Sequence, residues 1–151
     1  MIERLPESND RAIGFRVTGK VTAAEVEAFG PQVGFAIDRR GKRKVGILAD
    51  LSGLGGVDWK ARLEEVSFLK GWADRIERVA IVGAHKWEEV MAEILASTVL
   101  VEAETRYYQS GEIRHAWHWV KTGDQTEDAP GRRVFPREGL MGDYVPEYSE
   151  E

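Results

Sequence analysis

Along Ala12–Thr18, Ile13, Phe15 and Val17 are interleaved with Gly14, Arg16 and Thr18. That period of two predicts a half-buried strand. Met1–Leu5 is a second candidate strand, and the polar Glu7-Ser8-Asn9-Asp10 between the two predicts an antiparallel hairpin at a sheet edge. Further on the pattern changes. Within Lys44–Leu51, Val45-Gly46-Ile47-Leu48-Ala49 is continuously apolar, as expected of a strand covered on both faces. Arg78–Gly83 repeats it with Val79, Ala80, Ile81 and Val82, and Thr105–Gln109, with Tyr107 and Tyr108, reads as a short last strand.

Between these runs the apolar positions recur every three or four residues. Thr22, with Glu25 three residues later, forms a capping box ahead of the stripe Val26, Phe29, Val33 and Ile37. Pro31 falls inside that stripe and removes one helical bond, which predicts a kink or a split. The basic run Arg39–Lys44 ends the helix around Gly41, its cations facing the negative end of the dipole. A second stripe joins Trp59, Leu63, Val66, Leu69, Trp72 and Ile76, and a third joins Trp87, Val90 or Met91, Ile94 and Leu95. Ser110 can cap a last helix carrying Ile113, Trp117 and Val120. Ser52–Val57, rich in glycine, reads as a turn, with Asp58 as the N-cap of the helix after it. Helices alternating with buried strands predict an α/β fold with a largely parallel sheet.

The chain has the size of one domain, and 42% hydrophobic with 31% charged residues is the balance of a globular protein. No apolar run approaches the ~20 residues that cross a bilayer, and Met1–Arg4 does not begin a signal-peptide pattern. Cysteine is absent, which excludes disulfides, a thiol nucleophile and thiolate metal sites and suggests a cytoplasmic location. Residues 1–121 carry 18 acidic and 18 basic side chains, whereas residues 122–151 carry 8 and 3, the whole net charge of −5. A neutral body with an acidic extension offers no broad basic surface for nucleic acid. Gly123, Pro130, Gly131, Pro136, Gly139, Gly142 and Pro146 interrupt that extension, so residues 122–151 read as a tail or a docking arm beside a domain at 1–121.

Candidate chemistry is sparse. Gly53-Leu54-Gly55-Gly56-Val57-Asp58 follows a strand, as a dinucleotide loop would, but Asp58 stands where that fingerprint has glycine or alanine and would repel a pyrophosphate. The Gly-Lys-Ser/Thr of a phosphate loop is missing. Asp50 and Asp58 could face each other as an acid–base pair, although a strand end and a helix cap are the commoner uses of such residues. Glu112, His115 and His118 give a single Glu-x-x-His, too few ligands for a metal centre, so no metal, no cofactor and no catalytic residue is assigned. Trp59 and Trp87 each open a helix just beyond a strand's carboxyl end, the crevice side of an open α/β sheet. An apolar pocket there, or an interfacial surface bordered by Lys60, Arg62, Lys70 and Arg75, is physically reasonable.

Gly19-Lys20-Val21-Thr22, Ile47-Leu48-Ala49-Asp50-Leu51-Ser52-Gly53, Arg78-Val79-Ala80-Ile81-Val82-Gly83, Lys86-Trp87-Glu88 and Tyr107-Tyr108 together resemble the SpoIIAA-like family, small bacterial proteins of the STAS-type α/β fold. The resemblance covers residues 1–121. It implies a mixed sheet of four or five strands with an N-terminal hairpin and about four helices. It also implies a cleft for an apolar molecule between helices, as in the similarly shaped CRAL-TRIO lipid-binding domains, and contact with membrane surfaces. Placed on this sequence, the cleft would involve Trp59, Leu63, Phe68, Leu69, Trp72, Trp87, Met91 and Leu95. STAS anti-sigma-factor antagonists have a regulatory serine in an Asp-Ser-Ser-Gly stretch, where this chain reads Val57-Asp58-Trp59-Lys60. The aspartate is kept, but tryptophan replaces the serine, so phosphorylation would not switch the site. An interaction loop around Ser52, Gly53 and Asp58 is the alternative use of this edge. A homodimer is expected, because a single-sheet domain leaves edges to cover.

Overall fold

The computed structural model describes residues 1–56, 71, 74–84 and 103–134. Their elements, in chain order, are β1 (Ile2–Arg4), β2 (Ala12–Lys20), α1 (Ala23–Asp38), β3 (Val45–Gly56), β4 (Ile76–Gly83), β5 (Glu104–Gln109), a 3₁₀ turn (Ser110–Glu112), α2 (Ile113–Thr122) and β6 (Arg132–Val134). The strands form one sheet in the order β1-β2-β3-β4-β5-β6. β2 to β5 are parallel, whereas β1 and β6 pair antiparallel at the two edges. The fold is therefore mixed α/β, with the expected N-terminal hairpin.

Each central strand sends alternate residues to opposite faces, and both faces are covered. On one, Val33, Ala36 and Ile37 of α1 pack with Ile13, Phe15, Ile47, Val79, Ile81 and Tyr107. On the other, Ala116, Trp117, Trp119 and Val120 of α2 pack with Ala12, Leu48, Ala80, Val82 and Tyr108. Two glycines let α2 lie directly on the sheet. A Cβ on Gly14 would come within 2.3 Å of the Trp117 ring, and one on Gly46 within 2.4 Å of the Val120 carbonyl oxygen. Gly123, at φ 83°, ends α2 by donating its N–H to the Trp119 carbonyl at 2.7 Å.

Four expectations need correction. The sheet has six strands, not four or five. The sixth comes from the extension, where Thr105 pairs with Val134 and Tyr107 with Arg132. Arg106 holds this segment: it lies over Trp119, pairs with Glu104 at 3.0 Å and donates to the Pro130 and Gly131 carbonyls. Secondly, Ser52–Gly56 is not a turn. β3 runs through it, with Gly53 opposite Thr18 and Gly56 opposite Lys20. A Cβ on Gly53 would stand 3.0 Å from the Thr18 methyl and one on Gly55 3.4 Å from the Gly19 backbone, so the glycines serve close strand approach. Thirdly, α1 continues through Pro31 without splitting. Pro31 is exposed, on the side where water can take the carbonyl it leaves unpaired. Lastly, Ile76, expected on a helix stripe, opens β4 as a buried strand residue. Two α-helices lie among the described residues, and those expected from Trp59 and Trp87 fall outside them.

Candidate functional site at the carboxyl edge of the sheet

Because β2 to β5 are parallel, Lys20, Gly56, Gly83 and Gln109 all end at one edge. Ligands of open α/β sheets bind outside this edge. The chain leaves it after β3 toward the segment with Trp59, Leu63, Phe68, Leu69 and Trp72, and after β4 toward the segment with Trp87, Met91 and Leu95. Those eight residues and Asp58 lie outside the described residues.

Ser52 and Gly53 belong to β3, and Ser52 is part of a polar cluster. Asp50, opposite Arg16 in register, is buried, with its side chain 5% exposed. One carboxylate oxygen accepts from the Ser52 amide at 3.1 Å and from its hydroxyl at 2.6 Å, while the other accepts from Arg16 Nε at 3.0 Å. Burying a carboxylate requires such donors. The Arg16 side chain stays 44% exposed, so the cluster is a buried anion with a cation at its mouth. Ser52 donates its hydroxyl proton to Asp50, an arrangement that ties down the strand end and leaves a charged, hydrogen-bonding rim. Arg16 escaped the sequence reading. Its polar position in an alternating strand was visible, but its register against Asp50 follows only from strand pairing.

Glu112 accepts the Gln109 amide at 2.9 Å in a capping box and is thus a structural residue. His115 is half-buried and His118 exposed. Among the described residues no group of three histidine, aspartate or glutamate side chains could hold a metal ion, and no helix is long and apolar enough to cross a membrane.

The SpoIIAA-like family model matches residues 12–121, and the chain belongs to that family. Among solved structures, it is similar to an uncharacterised protein of the DUF3478 family with a SpoIIAA-like fold from Shewanella loihica PV-4. The two share 20% identity with a TM-score of 0.62, over 80% of this chain and 92% of the other, a likeness that shows the fold alone. No curated protein matches.

Proposed function

We propose that this chain is a non-enzymatic binding module of STAS-like architecture, accepting an apolar or amphipathic small molecule, lipids included, at the carboxyl edge of its sheet. One observation carries this reading. β3, β4 and β5 are consecutive and parallel, so both tryptophan-bearing connections leave the sheet from neighbouring positions on that edge. Trp59 follows the last residue of β3 by three positions and Trp87 follows that of β4 by four. Aromatic residues placed within a few positions of neighbouring strand ends favour a site for apolar ligands over charged ones. Peripheral contact with a membrane from the cytoplasm, and homodimerisation, belong to the same proposal.

Native mass spectrometry of the purified chain, with solvent extraction and liposome flotation, tests it. The expected result is a co-purifying lipid or flotation, lost in Trp59→Ala and Trp87→Ala. A ligand-free mass together with no flotation would overturn the proposal.

A protein-interaction role is the second reading, favoured by the exposed Arg16 above Asp50 and Ser52. Its test is a specific partner captured by the full chain and released by Arg16→Glu.

A further inference from the structure

Away from the carboxyl edge, a groove of about 610 Å³ opens between the β1–β2 hairpin and the outer face of α1. Its size is that of small-molecule sites, ~300–1,000 Å³. Arg4, Arg39 and Arg40 line it, with Asp10 as the one carboxylate in the lining. Among the described residues, none of the three arginines forms an ion pair with a carboxylate. Burial and the Arg4 and Arg39 charges pull the Arg40 guanidinium below the ordinary arginine range, against an opposing pull from Asp10.

The walls are held in place before any ligand arrives. Arg40 donates to the Ala36 carbonyl at the end of α1 and to the Asn9 carbonyl in the hairpin turn, joining the two elements. Its Nε is buried without a hydrogen-bond partner among the described residues. Asn9 Oδ1 accepts the Arg11 and Ala12 amides, and Ser8 Oγ bridges the Leu5 carbonyl and the Gly14 amide, fixing the turn. On the α1 side stand Pro31 and Phe35; Phe35 is 66% exposed, with the Arg39 guanidinium carbon 5.9 Å from its ring centroid.

The geometry points to a binding site for a phosphate monoester joined to a planar or apolar group, the phosphate between Arg4 and Arg39 and the apolar part against Phe35. Three guanidiniums less one carboxylate and less the roughly half negative charge at the C-terminal end of α1 leave an excess of about 1.5 positive charges, which matches a phosphate monoester at about −1.5 to −2 better than a carboxylate. The groove shares no residue with the tryptophan-bearing segments, so the failure of either proposal leaves the other standing.

Calorimetric titration of the full chain with phenyl phosphate, inorganic phosphate and neutral phenol is the test, with vesicles of phosphatidic acid as a parallel arm. Phenyl phosphate is expected to bind more tightly than either fragment, and more weakly as salt is raised. Arg39→Ala or Arg4→Ala, both at exposed positions, should weaken it about tenfold or more. Phe35→Ala should weaken phenyl phosphate more than inorganic phosphate. Binding of phosphatidic acid vesicles alone, lost in Arg39→Ala, would assign the same phosphate monoester to a lipid headgroup. No response to either ligand, or a response indifferent to both arginine substitutions, overturns the assignment.

Discussion

Gly14→Ala places a methyl group where α2 meets the sheet. The new Cβ would lie 2.3 Å from Trp117 Cη2, 2.4 Å from Cζ2 and 3.3 Å from Leu5 Cδ1. Carbon contacts settle at about 3.5–4.0 Å, so the indole must retreat by about 1.2 Å or more. It has little room. Trp117 is 7% exposed, packs with Leu5 and Ala116, and holds the Lys121 ammonium 4.8 Å from its ring. Overpacking of this kind costs about 1–3 kcal/mol, and the severity of the clash argues for the upper part of that range. Replacing glycine within a strand returns about 0.5–1 kcal/mol of chain entropy, leaving a net loss of about 2 kcal/mol. With a urea m-value of about 2 kcal/mol/M, that lowers the unfolding midpoint by about 1 M. Far-ultraviolet circular dichroism is the suitable probe, because it does not depend on the indole being displaced. Gly111→Ala, with nothing within 4 Å of its added methyl, is the control and should stay within about 0.5 kcal/mol. Gly14→Ala combined with Trp117→Leu should cost less than the sum of the two single changes, since the second removes the ring that the first strikes. An unchanged midpoint for Gly14→Ala, or strict additivity in the pair, would refute the direct contact between α2 and β2.

Tyr108 and Asp50 give two further tests. The Tyr108 hydroxyl is buried without a hydrogen-bond partner among the described residues, and burial pushes its pKa up to about 12. Its folded value therefore exceeds the unfolded value near 10, so its contribution is complete below pH 10 and is lost as pH rises toward 12. Urea midpoints between pH 9 and 12 should show that loss, Tyr108→Phe should flatten it, and the same variant should be neutral or about 1 kcal/mol more stable at pH 7. Asp50→Ala strands the Ser52 amide and leaves Arg16 unpaired, at a cost of about 2–3 kcal/mol. Arg16→Ala leaves Asp50 both Ser52 donors and should cost about 1 kcal/mol or less, given how exposed the arginine is. Equal losses in the two variants, measured by urea unfolding, would contradict the inward position of the carboxylate.

The parts of the fold that rest on local pattern were legible in the residues. Ile13, Phe15 and Val17 announced β2, and the apolar runs at Val45–Ala49 and Val79–Val82 announced two central strands. Thr22 does accept the Glu25 amide, at 3.3 Å, at the start of α1. What depended on partners was not legible. Glycines in Ser52–Gly56 signal a turn when read alone, and they become strand residues because β2 approaches closely beside them. Arg132-Arg133-Val134 has no strand signature of its own. It pairs because Arg106 grips the preceding carbonyls and because Gly131, at φ 75°, passes where a Cβ would lie 2.5 Å from the Tyr108 ring. At the candidate sites the limit was the same. Arg39 and Arg40 read as cations finishing a helix, and only the return of the hairpin beside α1 sets them against Arg4.

The two border strands bear on strand-to-strand association at the edges of the sheet. β1 and β6 are three residues each, and between them carry Glu3, Arg4, Arg132 and Arg133. The long, aggregation-prone parallel ladders of β2 to β5 are thus flanked by brief, charged borders that give an incoming strand little to template on. Fibril-like growth through these borders is disfavoured without any need for the sheet to close into a barrel. If two copies associate, borders this short and charged favour contact through side-chain surfaces over a shared continuous sheet.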